Sequence, residues 1–196
     1  MKTDYRIILA SNSPRRRELL RGLGLDFEVV VLPDIDEHYP PLLPAEEVAQ
    51  YVAERKADAY AGMLAQPADG CPLLVITADT TVVCEGEVMG KPADAADAVR
   101  MLTKLRGKTH QVVTGVCMMT AAKRRAFAVT TDVTFSQLAD EEIAYYVENY
   151  RPYDKAGAYG IQEWIGYAGV SGIRGSYFNV MGLPVQRIFT ELKTAF

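Results

Sequence analysis

Histidine is nearly absent. Only His38 and His110 occur in 196 residues, and the three cysteines, Cys71, Cys84 and Cys117, are odd in number and far apart. A zinc site of thiolates and imidazoles is therefore not expected, and the cysteines lack metal or disulfide spacing. Such cysteine usage fits a reducing cytoplasm. No stretch approaches the roughly 20 apolar residues of a membrane span. The opening Met1-Lys2-Thr3-Asp4-Tyr5-Arg6 leads into an apolar segment too short for a signal peptide with its cleavage site. An excess of positive charge is missing as well: Lys+Arg 21 against Asp+Glu 25 leaves a net charge of −4, which argues against broad nucleic-acid binding. There is no internal repeat and no low-complexity segment. What remains is 49% apolar and 23% charged, ordinary for a globular protein. The length suits one domain over residues 1–196, with a sizeable core or built as two lobes around a cleft. Any metal is expected to be a hard cation held by carboxylates.

The most informative stretch is Ile7-Ile8-Leu9-Ala10-Ser11-Asn12-Ser13-Pro14-Arg15-Arg16-Arg17-Glu18-Leu19-Leu20. It reads strand, tight loop, helix, with Ser13 as N-cap and Pro14 at the first helical position. A helix N-terminus offers free N–H groups and a partial positive charge. Arg15 and Arg16 lie in that first turn, where the macrodipole disfavours cations. An anion between the guanidinium groups and the helix end would account for them; a solvated basic patch is the plainer alternative.

Along the chain, Gly22-Leu23-Gly24 follows a helix and reads as a C-cap, not as a dinucleotide loop. Residues 27–32 are expected to form a strand leading into Pro33-Asp34-Ile35-Asp36-Glu37, an acidic loop that is either solvated or able to hold a divalent cation. Residues 46–64 read as one helix, with Val48, Val52, Ala59, Met63 and Lys56 on one stripe. Lys56 there either snorkels or reaches into a cleft. Residues 66–72 are a polar loop. Residues 73–78 form a continuous apolar run, a buried strand, expected to end at Asp79-Thr80-Thr81. A carboxylate at that place is either catalytic or a turn cap. Residues 82–89 suggest a hairpin turning at Glu85-Gly86, and residues 93–105 a helix with Ala98, Met101, Leu102 and Leu105 inward. Gly107-Lys108-Thr109 resembles a P-loop tail, but Leu102 occupies the place of the first glycine, so a Walker site is rejected. Residues 112–119 and 126–135 read as antiparallel strands. A helix opens at Ala139-Asp140-Glu141-Glu142, and the loop from Arg151 to Gln162 has a composition that admits a ligand. Residues 166–173 are expected as a strand, 175–182 as a loop and 184–192 as a helix.

Several motifs agree with one family. Ser11-Asn12-Ser13-Pro14-Arg15-Arg16, Asp36-Glu37, Lys56-Ala57, Ala78-Asp79-Thr80, Gly90-Lys91-Pro92 and His110-Gln111-Val112-Val113-Thr114-Gly115-Val116 stand in order. Asp154-Lys155-Ala156-Gly157-Ala158-Tyr159, Ile161-Gln162 and Gly182-Leu183-Pro184 follow. The chain resembles the Maf nucleoside triphosphate pyrophosphatases over nearly its whole length. The double arginine after Ser13-Pro14, with Gln162, is similar to the branch acting on dTTP and UTP. Glu163-Trp164 departs from the glycine with which many members continue. The resemblance implies an α/β Maf/ITPase-like fold, a mixed sheet flanked by helices with two lobes around a central cleft, and a homodimer. It also implies the reaction: a nucleoside triphosphate and water give the monophosphate and pyrophosphate. The family's catalytic carboxylate falls on Asp79, and its specificity positions on Arg15, Thr80 and Gln162.

For such chemistry the motif segments supply Arg15, Arg16, Lys56, Lys91 and Lys155 against the phosphates. Ser11 either hydrogen-bonds phosphate or is a turn residue. Glu37, with Asp79, would hold Mg²⁺ or Mn²⁺, and Asp79 would deprotonate the attacking water. The Gln162 amide offers donors and an acceptor that match the N3–H and carbonyl edge of uracil or thymine. The expected partners are the triphosphate, modified pyrimidine forms included, and a second copy of the chain, without nucleic acid or membrane. Two other readings stay open. One is a pyrophosphatase for a modified purine triphosphate such as 7-methyl-GTP. The other is a non-hydrolysing nucleotide-binding regulator linked to cell division.

Overall fold

The computed structural model describes residues 3–67 and 70–196. The chain start at Met1-Lys2 and part of the 66–72 loop lie outside them. A seven-stranded sheet has the order β2-β1-β3-β5-β6-β7, with β4 paired to β3. It is mixed: β1 (Arg6–Leu9) runs parallel to both β2 (Phe27–Val29) and β3 (Leu73–Cys84), whereas β4 (Glu87–Met89) is antiparallel to β3. β7 (Val170–Arg174) is antiparallel to β6 (Arg124–Phe135). Strand β5 (Thr109–Met119) lies between β3 and β6. Among the described residues no helix is long and apolar enough to cross a membrane. The chain divides into two compact units, one of Met1–Asp79, Thr114–Val129 and Gly182–Phe196, the other of Thr80–Val113 and Thr130–Met181.

In the first unit β1 is buried on both faces through Ile7, Ile8 and Leu9, as a strand with parallel neighbours on either side must be. The expected single helix over 46–64 is two: α2 (Val48–Asp58) and α3 (Ala61–Ala65). Tyr60 causes the break. Its buried hydroxyl donates to Val30 O at 2.9 Å and accepts from Leu32 N–H at 3.1 Å. The same bonds explain why β2 stops at Val29, since a side chain takes over backbone groups that a longer strand would pair. Helix α8 (Val185–Thr194) closes this unit.

Strand β3 does not stop at Ala78. It continues through Asp79 to Cys84, because Thr80, Thr81, Val82 and Val83 are β-branched and favour extended backbone. Asp79 is thus a mid-strand residue. The hairpin to β4 turns where expected, with positive φ at Glu85 and Gly86, the backbone that two-residue hairpins require.

In the second unit α4 (Ala95–Leu105) is capped by Asp94, whose side chain accepts from Asp97 N–H at 2.8 Å. Its inward residues are Ala98, Met101, Leu102 and Leu105, which pack with α5 (Asp140–Tyr150) residues Ile143, Tyr146 and Val147. Two expectations fail here. Residues 166–173 begin as helix α6 (Trp164–Ala168) before β7 starts; Gly166 N–H donates to Glu163 O and Gly169 N–H to Ile165 O, closing a helical turn that two glycines give no β preference to resist. The 175–182 segment contains α7 (Tyr177–Met181). Ser176 Oγ accepts from Asn179 N–H, and the buried Asn179 amide donates to Val112 O and Thr131 Oγ1, each at 3.1 Å.

His110 is the acid-sensitive point of this core. It is 2% exposed, bonds through Nε2 to Tyr159 Oη at 2.7 Å, and meets the edge of Phe135. Burial pushes its pKa down to about 4, whereas the unfolded chain titrates near 6.5. Between those values the unfolded state binds a proton that the folded state refuses, so stability falls as pH drops. The loss expected from pH 7 to pH 4 is about 3 kcal/mol. Urea titrations across that range should show a steeper acid loss in the wild type than in His110→Asn; parallel curves would contradict the assignment.

Candidate active site

The first unit brings six of the sequence-derived site residues into its fold. Ser13 caps α1 (Pro14–Arg21), accepting from Arg16 N–H, and the buried Ser11 Oγ accepts from Ser13 N–H at 3.2 Å. Ser11 is therefore a turn residue by geometry, whatever it also offers a ligand. Arg15 is half-buried beside it. Arg16 is more deeply engaged than its sequence position suggests. Its Nε donates to Gly182 O at 2.9 Å, and its Nη1 to Ala78 O at 2.8 Å and Ser11 Oγ at 3.5 Å. Burial lowers its pKa, with Asp79 and Glu37 opposing that shift and Arg15 adding to it. It ties α1 to the backbone just ahead of Asp79 and to Gly182.

Lys56 meets two carboxylates: Asp79 Oδ1 lies 2.8 Å from its Nζ and Glu37 Oε1 3.2 Å. A single contact chain explains the meeting with Asp79. Thr77 Oγ1 donates to Ala53 O at 2.6 Å inside the core, fixing α2 against β3. Asp79 is two residues beyond Thr77 and so on the same face of the strand, while Lys56 is three beyond Ala53 and so on the same side of the helix. The stripe position of Lys56 thus reflects reach toward Asp79, not snorkelling. Glu37 is exposed; its neighbour Asp36 accepts from His38 N–H at 3.0 Å, which holds the Asp36 carboxyl below its ordinary pKa.

Among the described residues no cluster of three or more His, Cys, Asp or Glu forms a metal cage. Glu37 and Asp79 sharing one ammonium is the nearest arrangement. Two carboxylates are nonetheless what Mg²⁺ commonly takes from a protein when substrate phosphates and water complete the shell.

The second unit carries the other four. Thr80 is half-buried in β3 and Lys91 is exposed after β4. Gly157 N–H donates to Gly90 O at 3.0 Å, tying the turn after Lys155 to the segment that bears Lys91. Lys155 is directed inward, its Nζ 2.7 Å from Asp154 Oδ1 and 3.1 Å from Glu163 Oε1. Gln162 is half-buried in the turn before α6. Sequence reading missed Tyr146, whose hydroxyl donates to Glu163 Oε2 and accepts from Gly160 N–H at 3.0 Å. Residues 146, 155 and 163 carry no shared motif, so only the fold reveals their meeting. The two rejected nucleotide motifs stay rejected: Gly22 is the C-cap of α1, and Gly107 leads into β5 where a P-loop would open a helix.

The family model for Maf-like proteins matches residues 6–195. The chain belongs to the Maf-like family. Curated relatives match over a similar share of the chain. A protein of Phocaeicola vulgatus named dTTP/UTP pyrophosphatase is 60% identical to this Maf-like chain over 189 residues, covering 96% of it and 95% of the relative. Proteins of the same name from Bacteroides fragilis and Flavobacterium johnsoniae are 55% and 46% identical, covering 96% and 97% of this chain and 95% of each relative. Among solved structures, the Staphylococcus aureus Ham1 protein aligns at 18% identity with a TM-score of 0.48, covering 69% of this chain and 72% of that one.

Proposed function

We propose that this Maf-like chain is a single-domain dTTP/UTP pyrophosphatase, hydrolysing either triphosphate to the monophosphate and pyrophosphate. The observation that carries the reading is the Lys56 ammonium bonded to both Asp79 and Glu37, within a chain 60% identical to a protein of that name. A regulator that merely binds triphosphates would need the cations but would have no use for a base oriented by a lysine.

The assigned roles follow from chemistry. Lys56 holds the Asp79 carboxylate in one orientation, and Asp79 takes a proton from the water that attacks the α-phosphorus. Arg15, Arg16, Lys91 and Lys155 are the candidate cations for the phosphates, with Ser11 as a hydroxyl donor. An arginine suits them because its planar fork matches phosphate oxygens. Arg16 also does so as a fixed group, held by the carbonyls of Ala78 and Gly182. A divalent cation, held by Glu37 and Asp79, would screen the phosphate charge as it grows. Gln162 reads the N3–H and carbonyl edge of the pyrimidine, with Arg15 and Thr80 as further specificity positions. Three cysteines, odd in number and far apart in sequence, fit a reducing cytoplasm, and a homodimer is the proposed assembly.

The test is product release with and without metal. UTP should yield UMP and pyrophosphate, chelation with EDTA should abolish that release, and added Mg²⁺ or Mn²⁺ should restore it. Undiminished release after exhaustive chelation would remove the metal from the mechanism. Release of orthophosphate in place of pyrophosphate would overturn the reaction itself.

A further inference from the structure

Glu163 is the N-cap of helix α6, yet its carboxylate makes no capping bond to that helix. Both oxygens face the other way: Oε1 meets Lys155 Nζ at 3.1 Å and Oε2 accepts from the Tyr146 hydroxyl. That same hydroxyl accepts from Gly160 N–H at 3.0 Å, and Glu163 N–H donates to Gly160 O at 3.0 Å. The backbone on both sides of Gln162 is therefore tied to one carboxylate and one phenol. Tyr146 itself is 0% exposed and stacked on Tyr150 at 5.1 Å. Room is tight as well, since a Cβ on Gly160 would lie 2.8 Å from Glu163 Cδ. Gln162, by contrast, makes no side-chain hydrogen bond among the described residues and depends on its backbone for aim.

From this geometry we infer that Glu163, clamped by Lys155 and Tyr146, is a positioning residue that aims the Gln162 amide and so sets base selectivity. The inference rests on the reading of Gln162 as the base-reading residue. It gives the Lys155 ammonium a task at Glu163 and explains the tolerance of a charged residue beside a base pocket: the charge is already matched within the protein. An amide distinguishes uracil from cytosine by the direction of its donors and acceptor, so loosened aim erodes discrimination before it erodes phosphate chemistry.

The experiment is kcat and KM for UTP and CTP in the wild type, Glu163→Ala, Tyr146→Phe and the double variant, with melting temperatures alongside. The UTP:CTP ratio of kcat/KM should fall about tenfold in Glu163→Ala and less in Tyr146→Phe. The loss should lie in KM for UTP, with kcat/KM for CTP nearly unchanged, and the two substitutions should be non-additive. A purely structural role would lower both substrates together. If Glu163→Ala does not fold, Tyr146→Phe, which keeps the buried ring, decides the matter. Folded variants that keep the wild-type ratio would overturn the positioning role while leaving the base reading intact. A wild type without preference for UTP over CTP would overturn the base reading and the positioning role with it.

Discussion

Asp79→Asn is expected to lower pyrophosphate release by about 10²–10⁴-fold, the range a positioned base contributes, while leaving triphosphate binding in place. The amide matches the carboxylate in shape and can still accept from Lys56 Nζ, which sits 2.8 Å from Oδ1. What it cannot do is take a proton. Asp79 lies in the middle of β3 and is half-buried, so the substitution removes basicity with little change in backbone. Calorimetric titration with α,β-methylene-UTP, which cannot be cleaved at that bond, should give an affinity near that of the wild type. Wild-type turnover in Asp79→Asn would move the base to another residue. Joint loss of binding and turnover would assign the effect to the cation that Asp79 helps to hold and leave its role as base without support.

Gln162→Glu should depress kcat/KM for UTP and dTTP about a hundredfold, with the melting temperature essentially unchanged. The carboxylate keeps the size of the amide but has no donor for a pyrimidine carbonyl. The turn that carries Gln162 is held from either side by Gly160 and Glu163, and the Gln162 side chain contributes no hydrogen bond among the described residues, so folding loses no partner. CTP should be less affected, because its amino group can donate to a carboxylate. Kinetics for the three substrates in both proteins check this. An unchanged order of preference would show that another residue reads the base, without touching the pyrophosphatase assignment.

Local signals in the chain were readable where neighbours in sequence decide the structure. Ser13-Pro14 opens α1, Glu85-Gly86 turns the hairpin, and the spacing of Ala98, Met101, Leu102 and Leu105 marks the inner face of α4. Two of the errors have their cause in distant partners. Tyr60 breaks a helix that its own segment would continue, because Val30 and Leu32 bind its hydroxyl. Residues 175–182 read as a loop until Asn179 is seen bonded to Val112 and Thr131. The same division holds for the site. Asp79, Glu37 and Lys56 stood out singly, by residue type and motif, but the meeting of Lys56 with Asp79 depends on Thr77 bonding to Ala53 across 24 positions. The bonds of Arg16 to Ala78 and Gly182 and the Glu163 clamp were invisible for the same reason, since their members are scattered along the chain.

The most direct test of the pyrophosphatase reading is pyrophosphate release by the metal-loaded wild type from one panel: UTP, dTTP, CTP, ATP, GTP and 7-methyl-GTP at equal concentration. The account predicts that UTP and dTTP turn over well ahead of the rest, each yielding its monophosphate in equal amount to pyrophosphate. Fastest turnover of 7-methyl-GTP, or binding of every triphosphate with hydrolysis of none, would contradict it.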